Sequence, residues 1–106
     1  QGRDLEDYVA RRFMEATGLK VRRSNVMYKS KEFPFMLADV DRLIVGEDAG
    51  LECKTANAFQ TDKWKDGEIP AHYVLQCYHY MAVTGKRNWY IAVVILGQGF
   101  QYRKLT

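Results

Sequence analysis

The stretch LADVDRLIVGEDAGLECKT, residues 37–55, carries the strongest fold signal in the chain. Residues 37–45 are rich in branched apolar side chains, a composition typical of a β-strand. Residues 46–50 have glycine at both ends and favour a turn. Residues 51–55 predict a second strand. We therefore expect an antiparallel β-hairpin in this part of the chain.

Helical periodicity flanks the hairpin on both sides. Apolar residues at helical spacing predict a helix over residues 4–17, which Gly18 would end. The same pattern predicts a second helix over residues 71–84, ended by Gly85. The apolar stripe expected for the second helix consists of Val74, Cys77, Tyr78, Met81 and Ala82.

Strands account for the other predicted elements. Residues 19–29 indicate one or two short strands, and residues 56–70 are polar and predict a loop. Residues 88–96 form a continuous branched apolar run, which favours a buried central strand. Residues 100–105 predict a last strand. The order α-β-β-β-α-β-β predicts an α+β domain whose mixed, mostly antiparallel sheet is flanked by two main helices.

Composition excludes several classes of protein. The 106 residues fit one domain, and 47% hydrophobic with 27% charged residues exclude a disordered chain. No apolar run approaches the roughly 20 residues needed to cross a bilayer, and the polar start is unlike a signal peptide. Two cysteines make neither a disulfide framework nor a four-cysteine metal site, so we expect a reducing compartment. The net charge of +3 permits nucleic acid as a partner without arguing for it.

Three charged side chains of the hairpin are expected to converge. Alternation along a strand puts Glu52 and Lys54 on one face. The two strands could pair so that the numbers of opposite residues add up to an odd number, with Val45 opposite Gly50. Asp41 would then lie directly opposite Lys54 and diagonally opposite Glu52. A neighbouring even register would separate them.

This convergence predicts metal-dependent hydrolysis. Carboxylates and a backbone carbonyl are hard oxygen ligands that suit Mg2+ or Mn2+, and such an ion activates water and offsets charge on a phosphodiester. Lys54 would hold that water or neutralise the phosphate. Asp39 is a rival to Asp41, since both lie on one face of a regular strand. The ordinary alternative is a solvated pair of Glu52 and Lys54 worth about 0–1 kcal/mol.

Further candidates come from the second helix and the basic segments. Gln76 and Tyr80 lie four residues apart on one helical face, where they would hold a water or a phosphate; otherwise they form a polar outer face. The basic residues would contact DNA phosphates; the alternative is that they are only solvated surface charges. Trp64 is the aromatic candidate for contact with DNA. Together with Tyr80, the candidate DNA-binding residues are Arg22, Arg23, Lys63, Trp64 and Lys65.

The ordered set of motifs resembles a known family. The matching segments, in order, are Leu5-Glu6, ADVDRLI at 38–44, GLECKT at 50–55, IPAHY at 69–73, QCYHYMAVTG at 76–85 and the apolar run at 89–96. This set resembles the YqaJ-like viral recombinases, relatives of phage lambda exonuclease in the PD-(D/E)XK nuclease superfamily. The resemblance covers nearly the whole chain.

The resemblance implies a restriction-endonuclease-like core and a Mg2+-dependent deoxyribonuclease, with Mn2+ able to substitute. The implied activity is a 5′-to-3′ exonuclease on double-stranded DNA in phage recombination. The implied roles are metal binding by Asp41, Glu52 and the Cys53 carbonyl, catalysis by Lys54, positioning by Gln76, and contact with a second metal by Glu6. A favourable charge on the first helical turn is the alternative for Glu6.

The resemblance also bears on partners and location. It implies DNA as substrate, no membrane, the cytoplasm of a bacterial or phage-infected cell, and a homo-oligomer and a single-strand annealing protein as candidate partners. We expect residues 1–106 to be a single nuclease core, with truncation at the N-terminus as one interpretation, because the family's upstream DNA-end-binding segment has no match here. Two other classes of function remain: a DNA-binding module with an inactive or incomplete nuclease site, and a plain α+β interaction domain.

Overall fold

Helices and strands follow one another in the predicted order in the computed structural model, which describes residues 2–57, 64–65 and 67–106. Residues 19–29 contribute one strand. No helix in these ranges is both long enough and apolar enough to cross a bilayer. The elements are α1 (Gly2–Thr17), β1 (Val21–Lys29), β2 (Leu37–Ile44), β3 (Ala49–Ala56), α2 (Ala71–Thr84), β4 (Asn88–Ile95) and β5 (Gly99–Leu105).

Within the described residues, the sheet has five strands in the order β1-β2-β3-β4-β5. Neighbouring strands are antiparallel except for β3 and β4, which are parallel. A parallel pair needs a crossover connection, and α2 lies in the segment that joins these two strands. The predicted mixed, mostly antiparallel sheet flanked by two helices is therefore confirmed.

Each helix covers one face of the sheet. An α1-side cluster contains Val9, Phe13, Leu51, Cys53 and Tyr90, and an α2-side cluster contains Cys77, Val83, Trp89, Ile91 and Val93, each together with further apolar residues. Leu51 and Cys53 belong to the first cluster, so the alternation of side chains turns Glu52 and Lys54 toward α2.

The buried face of α2 differs from the predicted stripe. Cys77 is fully buried as expected, but Tyr78 is 42% exposed and Ala82 is exposed. Tyr73 and Tyr80 pack against the α2-side cluster instead. The rings of these two tyrosines remove far more apolar area from water than Ala82 could, so packing against the sheet decides the rotation of the helix.

The pairing of β2 with β3 corrects the predicted register. Leu43, not Val45, lies opposite Gly50, because β2 ends at Ile44 and the turn begins one residue later. The numbers of the two paired residues still add up to an odd number, as in the predicted register. A regular ladder in this register would place Asp41 opposite Glu52 instead of opposite Lys54.

A β-bulge lies next to Asp41. Residues 24–25 of β1 face a single residue of β2, since the register shifts between Arg23 and Val26. Bulges increase the local twist and re-aim side chains. In β2, Val40 and Leu43 would lie on opposite faces of a regular strand, yet both pack in the α2-side cluster. Strict alternation, the basis for treating Asp39 as equivalent to Asp41, does not hold here.

Gly50 makes room for the largest buried side chain of the α2-side cluster. A Cβ atom at Gly50 would lie 2.3 Å from ring atoms of Trp89, which is 1% exposed. We expect Gly50→Ala to lower the free energy of unfolding by about 1–3 kcal/mol, the usual range for overpacking. Urea denaturation measures this loss. In a Trp89→Leu background the same substitution should cost less, and an equal cost in both backgrounds would contradict the steric explanation.

Candidate functional site

Glu52 and Lys54 form a shielded ion pair between the sheet and α2. Lys54 Nζ lies 2.9 Å from Glu52 Oε2, and the two side chains are only 23% and 20% exposed. The side chains share one face, as alternation predicted. Because most of the pair is removed from water, its charges interact more strongly than those of a freely solvated pair.

Carboxylate charge accumulates around Glu52. Burial is the main cause that raises the pKa of Glu52; Lys54 opposes it, and the charges of Glu6 and Asp41 add to it. Asp41 therefore lies within electrostatic range of Glu52.

Lys54 keeps its proton in this setting. Burial by itself would lower the pKa of Lys54, but the hydrogen bond and charge of Glu52 more than offset it, and the net shift is upward. The ammonium group also lies 4.6 Å from the centre of the Tyr73 ring. The site thus contains a fixed positive charge beside several carboxylates.

Tyr80 belongs to the site through its hydroxyl group. Burial raises the pKa of Tyr80, and so do the charge of Glu52 and a hydrogen bond to its carboxylate. The ring lies 5.1 Å from that of Trp89. Tyr80 therefore lies beside the Glu52 carboxylate, and its contact with DNA stays a prediction. Gln76 is half-buried one turn earlier on α2.

Arg42 is a site residue that sequence reasoning missed. Its side chain is 3% exposed, and its guanidinium donates to Glu6 Oε1 at 3.4 Å and to Asp7. These contacts tie the second turn of α1 to β2 and hold Glu6 near the site. An arginine directly before the apolar residues Leu43 and Ile44 was the available signal, because a buried guanidinium requires carboxylate partners.

The predicted DNA-binding residues lie in different environments. Trp64 is 4% exposed and stacks on Tyr73, so its prediction as a DNA contact is wrong; burying the indole ring gains more than exposing it. Arg23 pairs with Asp7 at 3.0 Å, while Arg22 and Lys65 are exposed. Lys63 lies outside the described residues.

The described residues contain no group of three or more His, Cys, Asp or Glu side chains arranged to hold a metal ion. The donor set predicted for this site is smaller, with two carboxylates and the main-chain carbonyl of Cys53. The Cys53 thiol lies on the α1 side, and burial raises its pKa to about 12, so a thiolate is not available as a ligand.

Glu52 should leave a signature in the pH dependence of stability. Its folded pKa lies above the reference value of 4.5, so protonation of Glu52 favours the folded state at low pH, and this contribution is lost as the pH rises through the folded pKa. Glutamine cannot titrate. We therefore expect the free energy of unfolding of Glu52→Gln, relative to wild type, to rise from below pH 4.5 toward neutrality.

Urea denaturation at a series of pH values without added metal measures this difference. Glu15→Gln, at an exposed glutamate of α1, controls for the loss of one carboxylate. A difference between Glu52→Gln and wild type that stays flat or falls with rising pH would contradict the predicted upward shift.

Comparison with known proteins gives matches in sequence and in structure. A sequence model of the YqaJ-like viral recombinase domain matches residues 1–87. The uncharacterized protein YqaJ of Bacillus subtilis (strain 168) is 46% identical over 103 residues, which are 95% of this chain and 32% of that protein. This chain therefore spans about a third of the length of that curated relative.

Two solved structures share the fold. A crystal structure of an alkaline exonuclease, LHK-Exo, from Laribacter hongkongensis superposes with a TM-score of 0.83 at 19% identity. The structure of LHK-Exo in complex with dAMP gives 0.84 at 20% identity. Each match covers 96% of this chain and 54% of the other. These likenesses confirm the expected α+β fold.

Proposed function

This chain belongs to the family of YqaJ-like viral recombinase domains, and from that premise we propose that it is the core of a metal-dependent nuclease that hydrolyses DNA phosphodiester bonds. The observation that carries the proposal is the shielded ion pair of Glu52 and Lys54, with the charge of Asp41 acting on the same carboxylate. An amine beside converging carboxylates is the set of groups that metal-assisted phosphodiester hydrolysis needs.

The donor chemistry of the site fits a divalent cation. Asp41 and Glu52 supply hard oxygen ligands. Burial, and to a smaller extent the charges of Glu6 and Asp41, raise the pKa of Glu52, and a bound cation would oppose this shift. Asp41, Glu52 and the carbonyl of Cys53 would hold Mg2+ or Mn2+, and Glu6 would lie near a second ion. When bound, the cation supplies a water of lowered pKa and positive charge beside the phosphate.

The chain's own residues orient the reacting groups. Lys54 keeps its proton and donates a hydrogen bond from Nζ to a phosphate oxygen or to the attacking water, and Gln76 positions that water or Lys54. Tyr80, beside the Glu52 carboxylate, would help to orient it. The water oxygen would form a new P–O bond as the P–O ester bond breaks; the water gives up a proton to the solvent, and the leaving oxygen takes one up from the solvent.

The specific activity we propose is 5′-to-3′ exonuclease action on double-stranded DNA during phage-type recombination. Support comes from the family's description as viral recombinases and from the shared fold with an alkaline exonuclease that has been solved with dAMP. A homo-oligomer and a single-strand annealing partner, both in the cytoplasm, belong to the same proposal.

Digestion of end-labelled linear duplex DNA tests the proposal. We expect degradation with Mg2+ or Mn2+, none with EDTA, earlier release of a 5′ label than of a 3′ label, and no action on closed circular DNA. Mn2+ should also raise the melting temperature, because it binds the folded state. Salt-dependent DNA binding without cleavage under any of these conditions would instead support the DNA-binding module.

A further inference from the structure

Lys54 has an aromatic neighbour as well as an acidic one. Its ammonium nitrogen lies 2.9 Å from Glu52 Oε2 and 4.6 Å from the centre of the Tyr73 ring. A cation within about 6 Å of a ring centre is attracted by the negative face of the ring. Two groups of different chemistry therefore fix the position of one amine.

The two neighbours are not equivalent in the proposed reaction. Glu52 is also the proposed metal ligand, so its oxygen atoms are not reserved for Lys54. The face of a phenol ring is not an oxygen ligand, and a divalent cation that prefers oxygen does not compete for it. If Glu52 bound a metal ion, Lys54 would therefore keep its contact with the Tyr73 ring.

Tyr73 is itself held firmly. It lies in the first turn of α2, where its backbone N–H donates to the carbonyl of Pro70 at 3.0 Å. Its ring stacks on buried Trp64, with ring centres 5.6 Å apart and planes 28° apart. Gln101 Nε2 of β5 donates to the Trp64 carbonyl at 3.1 Å, which ties this support to the sheet.

We propose that Tyr73 is a positioning residue for Lys54, and that Trp64 supports the Tyr73 ring by stacking on it. The ring restrains a flexible four-carbon side chain, so that the amine stays at the point where the phosphate charge develops. This inference rests on the proposed nuclease function, but the contact between Tyr73 and Lys54 can be measured without DNA or metal.

Proton NMR of the metal-free protein measures the contact directly. Because Lys54 Nζ lies over the Tyr73 ring, we expect the protons of the adjoining methylene group to resonate upfield of those of other lysines. Lys54→Ala identifies these signals by their loss. Tyr73→Phe should keep the upfield shift, whereas Tyr73→Leu and Tyr73→Met should remove it. Unshifted Lys54 signals in the wild type would overturn the inference without any variant.

Steady-state DNA hydrolysis measures the consequence. Tyr73→Phe keeps the ring face and should retain the rate within about twofold, while Tyr73→Leu should lower kcat by about threefold to thirtyfold with little change in KM. Tyr73→Met keeps apolar volume without a ring and replaces Tyr73→Leu if the latter does not fold. Tyr78→Leu, at an exposed tyrosine of the same helix, should keep the wild-type rate.

The outcomes separate this inference from the proposed function. Loss of the NMR shift in Tyr73→Leu together with an unchanged kcat would overturn the positioning role while leaving the nuclease intact. A wild-type protein that does not cleave DNA would overturn the proposed function, and the positioning role with it. An equal loss of rate in Tyr73→Phe and Tyr73→Leu would also overturn the role, because the phenyl ring preserves the contact.

Discussion

Lys54→Ala is expected to lower the rate of DNA hydrolysis by about 100-fold or more, the usual cost of removing one preorganised donor from a developing oxyanion. Lys54 is the shielded cation of the site, and its pKa is raised by Glu52, so it is charged at any working pH. Cleavage of end-labelled duplex DNA under single-turnover conditions measures the chemical step. Lys20→Ala, at an exposed lysine between α1 and β1, is the matched control.

Glu52→Gln should cause a loss at least as large as that of Lys54→Ala. The amide has nearly the same shape but carries no charge, so it is a poor ligand for a divalent cation. The stabilisation of the folded protein by Mn2+ should disappear in the same variant, as seen in thermal unfolding. Wild-type cleavage rates in both Glu52→Gln and Lys54→Ala would remove this site from the mechanism.

Trp89→Ala should give the largest loss of stability, about 3–5 kcal/mol, as is usual when a large buried aromatic ring is truncated. Trp89 is 1% exposed, packs on Gly50 and contacts the ring of Tyr80. Its Nε1 has no hydrogen-bond partner within the described ranges, so the substitution removes packing only. Urea denaturation measures the change in the free energy of unfolding.

The control for Trp89→Ala is an aromatic truncation outside the core. Phe35 is 81% exposed, so Phe35→Ala should change the free energy of unfolding by no more than about 0.5 kcal/mol. Similar losses in the free energy of unfolding for Phe35→Ala and Trp89→Ala would contradict the placement of Trp89 in the hydrophobic core and of Phe35 outside it.

Much of the fold could be predicted from local patterns. The branched apolar run at 88–96 and the glycine-flanked turn at 46–50 depend on nearby residues alone, and the element order followed from them. That Glu52 and Lys54 share one face of β3 could be predicted from the alternation of side chains along a strand. The register of β2 against β3 could not be predicted, because it depends on where β2 ends at the turn.

The site shows the same division between local and distant causes. The motif residues Asp41, Glu52 and Lys54 were found from their order in the chain. The burial of Trp64 was not, because a tryptophan between two lysines looks exposed until Tyr73 packs against it. Arg42 was missed since its partners, Glu6 and Asp7, are more than thirty residues away in the sequence.

The sequence by itself determined the order of the elements, the face of β3 that carries the charged pair, and the family. The tertiary structure alone decided how α2 is rotated, which aromatic rings support Lys54, and how the bulge beside Asp41 interrupts the alternation of β2. Local patterns are set by neighbours along the chain, whereas these features arise from packing between residues that only folding brings together.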